Sequence, residues 1–195
     1  MSLPERSPER DAAIVALLPH VASDGWTVSA LTKTAGADAD LLFPGGPADM
    51  VEAYSDLADR WMEADAAAQD MKDLRLPQRV RAVILARFAR NEPYKDAVRR
   101  GLGVLALPGR AVLAARCTGR TVDSIWHAAG DQSADFSWYT KRAILTAVYG
   151  ATLLFWLHDH SEDSAATAEF LDRRLQGVAR IGSVRRRAAV LLKRE

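Results

Sequence analysis

Residues 135–157, "DFSWYTKRAILTAVYGATLLFWL", decide how the rest of the chain is read. The stretch opens on an acid, aromatic residues and two bases, then runs from Ala143 to Leu157 without a charge. That uncharged run is 15 residues long, short of the ~20 a membrane-spanning helix needs. It shows no alternation of polar and apolar positions, which argues against a half-buried strand. A helix that is apolar on every side is buried on every side. The segment after Trp138 is therefore expected as the central helix of a layered helical domain, or as the wall between a pocket and a subunit interface.

The same helical period runs outward from it in both directions. Ile14, Leu17, Leu18 and Val21 mark a helix over 6–22, which Pro19 kinks. Thr27 caps a short second helix ending at Ala35–Gly36, and "DADLLF" forms a very short third element before "PGGP" at 44–47. Met50, Tyr54, Leu57 and Trp61 stripe a long fourth helix, and Val80, Val83, Ile84 and Phe88 stripe a fifth that starts at Pro77. Pro93 starts a sixth with Ala97, Val98, Leu102 and Leu105 inward; Pro108 starts a seventh with Val112, Val122, Ile125 and Trp126 inward. The loop "GDQSADFS", the apolar helix, the turn "DHSEDS", a helix over 164–180 and a basic tail complete the chain. No alternating stretch bounded by hairpin turns occurs. The fold class is all-α, with about nine or ten helices.

The 195 residues, 49% of them hydrophobic, suit one compact domain with a sizeable core. It divides into 1–46, 47–182 and a tail at 183–195. The net charge of +1 hides an asymmetry: residues 1–75 sum to −8 and residues 76–195 to +9. The halves face different electrostatic tasks, or they face each other. Cys117 is the one cysteine, so there is no disulfide framework, and its apolar setting predicts a buried, inert thiol. "MSLPERSPERDAAI" lacks an apolar signal core, and Glu5 and Glu9 argue against a mitochondrial presequence. A cytoplasmic, bacterial protein is expected.

Residues 10–50 have the outline of a TetR-type helix-turn-helix head. A groove-reading helix works through bases that neutralise phosphates. Here the third element offers Asp38 and Asp40, with no base between Lys33 and Arg60. The outline survives without the charge, so the 1–46 segment reads as degenerate and nucleic acid is not an expected partner. Catalytic chemistry is equally thin. The histidines of "HDH" at 158–160 would point about 200° apart on a helix. His127 with Asp131 and Asp135 reads better as loop and cap residues than as a metal site. Neither a phosphate loop nor a nucleophile elbow is present. The chain is expected to be no enzyme and to hold no metal or cofactor. From Arg173 to Arg194 there are eight bases and no acid. Val184, Ala188, Leu191 and Leu192 share one helical face, with Arg185, Arg186, Arg187 and Lys193 elsewhere, as suits an anionic membrane surface or a solvated terminal helix.

"LLPHVASDGWT", "LFPGG", "SIWHAAGDQSADFSWYTKRA" and "EFLDRRL", spread over most of residues 10–176, resemble the accessory family of ubiquinone (coenzyme Q) biosynthesis, the ninth Coq protein and its bacterial relatives. The resemblance implies a TetR-like, usually dimeric fold turned from reading DNA to binding lipid. It implies a non-enzymatic protein that holds an isoprenoid quinone intermediate, or a phospholipid, and assists the di-iron hydroxylase of the pathway. It also implies docking of that hydroxylase on Asp135, Trp138, Tyr139 and Arg142, and attachment to the inner face of the cytoplasmic membrane. Trp138 and Arg142 are expected as the outward pair, being four residues apart on one face. Phe88, Leu102, Leu105, Trp126, Leu145, Val148 and Tyr149 are the expected lipid lining, since they stripe the inward faces of the later helices. The alternatives are a ligand-responsive transcriptional regulator of the TetR family and a dimeric scaffold with a plain packed core, which absence of co-purifying lipid would favour. DNA separates out the regulator: titration of labelled duplex at low salt is expected to give no tight complex, and nanomolar, sequence-selective binding would contradict that expectation.

Overall fold

The structure, a computed structural model, describes residues 4–131 and 137–191, with side chains placed for 4–131 and 139–178. Among the described residues every regular element is helical. The nine α-helical segments are α1 (Pro8–Leu17), α2 (Val21–Asp24), α3 (Val28–Ala35), α4 (Pro47–Ala67), α5 (Leu76–Asn91), α6 (Lys95–Leu105), α7 (Ala111–Ala128), α8 (Ser137–Trp156) and α9 (Ala165–Leu191). One of them, α2, is a single turn, so full helices number slightly fewer than expected. "DADLLF" closes as a 3-10 turn over Ala39–Leu42. The segment expected as a separate tail helix is continuous with α9, which runs on to Leu191. No described helix is long and apolar enough to cross a membrane.

Local chemistry sets the boundaries. The Ser7 hydroxyl accepts the Arg10 amide at 3.1 Å and Pro8 opens α1, which gives up only an N–H that would have gone unpaired. Pro19 converts the next turn to 3-10, Leu18–His20, before α2 ends at Gly25 with φ 72°. The Thr27 hydroxyl accepts the Ala30 amide at 3.1 Å and starts α3.

Two clusters of apolar side chains form the interior, and α4 spans both. Its first half, with Met50, Tyr54 and Leu57, packs against Ile14, Leu17 and Trp26. Its second half, with Met62 and Ala66, joins Ile84, Phe88, Ile125, Val148 and Trp156. The acids of α4 answer bases further along the chain, so the two halves do face each other. Glu52 binds Arg116 at 3.0 Å and Arg120 at 2.7 Å, and Asp59 binds Arg87 at 2.5 Å. Asp56, itself buried, takes Arg6 at 2.6 Å and Arg60 at 3.2 Å.

Two expectations need correction. Val112 is 77% exposed rather than inward, because α7 begins at Ala111 after the turn at Gly109, not at Pro108. The apolar helix, α8, is not covered on every side either: Leu145, Val148, Tyr149 and Trp156 are buried, while Ile144 and Leu154 are exposed at 38% and 58%. That pattern does not fit the first of its two expected roles, a central helix buried on every side.

The Arg87–Asp59 pair is the costliest feature of this interior. Removing one partner strands a buried charge, at a cost of about 3–5 kcal/mol. Asp59→Leu and Arg87→Met are each expected to lower stability by that amount in urea denaturation. The double variant is expected to recover most of the loss.

Candidate functional site

Two cavities flank α8. The first lies between α4, α5, α6, α7 and α8 and has an empty volume of about 650 Å³ with its mouth included. The second lies between α5, α7, α8 and α9 and measures about 670 Å³ on the same basis. Because successive residues on a helix point about 100° apart, neighbouring positions of α8 serve different cavities. Val148 lines the second and Tyr149 the first.

The first cavity has a polar floor. Arg87 donates through Nη1 to Asp59 Oδ1 at 2.5 Å and through Nε to the Tyr149 hydroxyl at 3.0 Å. Tyr54 donates to Asn91 Oδ1 at 2.5 Å, and Asn91 donates to the Arg87 carbonyl at 2.7 Å. Burial opposes the charge on Arg87, but Asp59 and the tyrosine oxygens outweigh it and hold the guanidinium fully protonated. Burial pushes the Asp59 carboxyl up to about 6 against the pull of Arg87. It also pushes both phenols, Tyr54 and Tyr149, further from ionisation. Cys117 lines this cavity as a buried thiol whose ionisation burial suppresses, in keeping with the inert reading. An aromatic wall completes it: Phe88 stacks on Tyr149 at 6.0 Å and on Trp156 at 5.1 Å between ring centroids.

The second cavity is apolar. Leu76, Pro77 and Val80 come from α5, Trp126 from α7, Ile144, Leu145 and Val148 from α8, and Leu175 and Val178 from α9. Lys141 is its one charged lining residue, 3.4 Å from Asp131 and 6.0 Å above the Trp126 ring. The indole N–H of Trp126 is buried and has no hydrogen-bond partner among the described residues.

The expected lipid lining therefore splits. Phe88, Leu102, Leu105 and Tyr149 line the first cavity; Trp126, Leu145 and Val148 line the second. Of the expected docking residues, Asp135 and the Trp138 side chain lie outside the described residues. Tyr139 is 76% exposed. Arg142 is not an outward residue as expected: its side chain is only 23% exposed and its Nε donates to Asp123 Oδ1 at 2.5 Å. The membrane residues Arg185, Arg186, Arg187, Leu191, Leu192 and Lys193 lie outside the described side chains. In "HDH", α8 has already ended at Trp156, and Asp159 receives Ser161 and Thr167 instead. Burial works against that carboxylate, yet these hydrogen bonds hold it ionised, at about 2.

The polar floor went unread in the sequence, although a signal was there. Arg87 falls on the stripe of Val80, Val83, Ile84 and Phe88, and Asp59 on that of Met62 and Ala66. A charge on a core stripe announces a buried partner.

Residues 111–182 match the sequence model of the COQ9 family. The chain is 33% identical over 180 residues to the mitochondrial ubiquinone biosynthesis protein COQ9 of Xenopus tropicalis, covering 86% of this chain and 57% of that protein. It is 29% identical over 181 residues to the protein of that name from Homo sapiens, covering 87% and 57%. The chain thus spans a little over half the length of these relatives. Among solved structures it is similar to a TetR transcriptional regulator from Nitrosomonas europaea, with a TM-score of 0.72 and 23% identity over 89% of this chain and 99% of that one. The chain has the TetR-like fold, and the resemblance to the COQ9 family read from its motifs is borne out.

The head of α8 separates by stability. Tyr139→Ala is expected to change stability by no more than about 0.5 kcal/mol, as exposed substitutions do. Arg142→Glu sets an acid against Asp123 and is expected to cost about 1 kcal/mol. Thermal melting of the two variants checks both.

Proposed function

We propose, taking the COQ9 match as premise, that this chain is a non-enzymatic accessory protein of ubiquinone biosynthesis. It binds an isoprenoid quinone intermediate in the apolar cavity between α5, α7, α8 and α9 and presents it to the di-iron hydroxylase of the pathway. One observation carries the choice of cavity. Seven of its ten lining residues, Trp126, Lys141, Ile144, Leu145, Val148, Leu175 and Val178, fall inside the matched segment 111–182. The same helix that supplies four of those residues begins with the aromatic motif read as the docking site.

The physical chemistry suits carriage. The cavity is lined by apolar side chains with the single exception of Lys141, as suits an apolar organic ligand. It takes the ring and the first isoprene units and leaves a long tail to other apolar surface. Each methylene moved out of water gains about 0.8 kcal/mol. Moved from a bilayer into an equally apolar cavity it gains almost nothing, so loading from membrane and unloading to an enzyme are both reversible. The basic tail supports attachment to an anionic membrane surface. The exposed apolar positions of α8, Ile144 and Leu154, support association of two copies. The regulator reading rests on fold likeness alone, and Asp38 and Asp40 stand exposed on the element that would enter the groove.

Native mass spectrometry with organic extraction tests the reading on protein produced in a quinone-making host. Wild type is expected to carry an isoprenoid quinone. Ile144→Trp, which fills the cavity mouth from a half-open position, is expected to lose most of it without losing helicity. Lipid-free wild type, or equal occupancy in Ile144→Trp, would contradict the proposal. Tyr139→Ala is expected to keep the lipid and lose co-purification with the hydroxylase.

A further inference from the structure

The turn between α6 and α7, residues 106–110, lies outside both cavities. Around it, residues 101–115, "GLGVLALPGRAVLAA", hold one polar side chain, that of Arg110. Surface turns ordinarily combine Gly and Pro with Asn, Asp and Ser, whose polar groups face water. Here Gly and Pro stand among aliphatic residues instead, yet the turn is not buried. Ala106, Leu107, Pro108, Gly109, Ala111 and Val112 are all exposed, Leu107 at 51% and Val112 at 77%. A Cβ at Gly109, whose φ is 82°, would meet nothing within 4 Å, so the turn stands clear of the body. Part of its backbone polarity is settled internally. The Leu107 N–H donates to the Val104 carbonyl at 3.4 Å, and the Arg110 N–H to the Leu107 carbonyl at 3.2 Å. Arg110 Nη1 also donates to the Val104 carbonyl, at 3.2 Å. A segment that enters an apolar medium has to satisfy its polar groups in this way.

The charge carried by these two helices has one sign. From residue 97 to residue 122 there are five bases, Arg99, Arg100, Arg110, Arg116 and Arg120, and no acid. Two acids from outside that stretch answer three of them: Asp96 pairs with Arg99, and Glu52 with both Arg116 and Arg120. Arg100 and Arg110 donate to the carbonyls of Ala22 and Val104 and have no ion-pair partner among the described residues. We infer that the α6–α7 turn is a membrane-docking tip that sets Leu107 and Val112 into an anionic lipid bilayer, with Arg110 at the level of its phosphate groups. The aliphatic tip calls for a medium it can enter, and the bases behind it call for negative charge at the entrance. The surface of an anionic bilayer offers both. A protein partner fits less well: a stable interface buries ~800 Å² on each side, and this turn presents only two large aliphatic side chains. The tip is separate from the basic tail, and no quinone enters the argument, so it stands or falls apart from the lipid assignment above.

A fluorophore on the tip tests this in the full chain. Cys117→Ser removes the native thiol, and Leu107→Cys supplies one at the tip for a nitrobenzoxadiazole label. Val15→Cys, on the exposed side of α1, supplies the control. The probe membrane is phosphatidylcholine vesicles containing a third phosphatidylglycerol. On these, the label at position 107 is expected to brighten, shift to the blue and be quenched by lipid carrying a nitroxide in its acyl chain. At position 15 it is expected to do none of these, and vesicles of phosphatidylcholine alone are expected to give little response at either position. Leu107→Ser combined with Val112→Ser is expected to weaken sedimentation with the anionic vesicles about tenfold, the effect of withdrawing two part-exposed aliphatic side chains from an apolar medium. Its melting temperature is expected to stay at that of wild type, as for exposed positions generally. Failure to bind the vesicles, or binding with no response at position 107, would overturn the proposal, the second outcome assigning docking to another surface such as the basic tail. Equal sedimentation of the double variant, or an equal response on phosphatidylcholine alone, would also overturn it. So would a blue shift that appears without vesicles as protein concentration rises, which would mark a contact between copies of this chain.

Discussion

A guanidinium at the centre of an apolar helical stack has to be answered on the spot, and the interior of this chain is arranged around answering Arg87. The residue is 8% exposed and sits among Phe88, Tyr149 and Ala58. An unpaired charge there would cost several kcal/mol, so Asp59 must come from α4 and Tyr149 from α8 to meet it. That demand fixes α4, α5 and α8 against one another at one level of the stack. It also leaves polar atoms where close-packed aliphatic side chains would otherwise close the space. A buried ion pair is a poor source of stability. Here its effect is positional: it holds the first cavity's floor and aims the phenol of Tyr149.

The second constraint is that α8 has several tasks on one surface. Its Tyr149 side meets the polar cavity, its Val148 side meets the apolar one, and Ile144 and Leu154 are open to solvent. An apolar sequence satisfies all of them, since aliphatic packing, a cavity wall and an open apolar face call for the same residues. The TetR-like head shows the converse. Its helices are kept by capping and by Trp26, Leu31 and Phe43 in the core, while Asp38 and Asp40 stand exposed. Fold and surface charge are separable: the caps and core residues that set these helices leave the exposed positions open to either sign of charge.

That separation explains which parts were legible in the sequence. Caps, breaks and stripes are local, so Thr27, Pro19 and the Val80–Phe88 stripe were read correctly from a few neighbouring residues. The family resemblance was legible because the 124–143 motif is long and specific. Division of the expected lining between two cavities was not legible, because Val148 and Tyr149 are adjacent and both suit a helical core, and only the packing of α9 against α5 tells their sides apart. Val112 was misplaced because a proline was taken as the helix start where Gly109 delays it by a turn. Arg142 was misplaced because Asp123 lies on another helix, beyond the reach of any local pattern.

The account rests on an isoprenoid lying in the apolar cavity beside the head of α8, and photolabelling reads that position directly. A short isoprenoid quinone carrying a diazirine on its second isoprene unit would be loaded into the full chain, irradiated, and the modified peptides mapped by mass spectrometry. The account predicts labels on the segments that wall this cavity: around Leu76–Val80, Ile144–Val148 and Leu175–Val178. Labels concentrated on α4 and α6, or spread over the surface without preference, would contradict it.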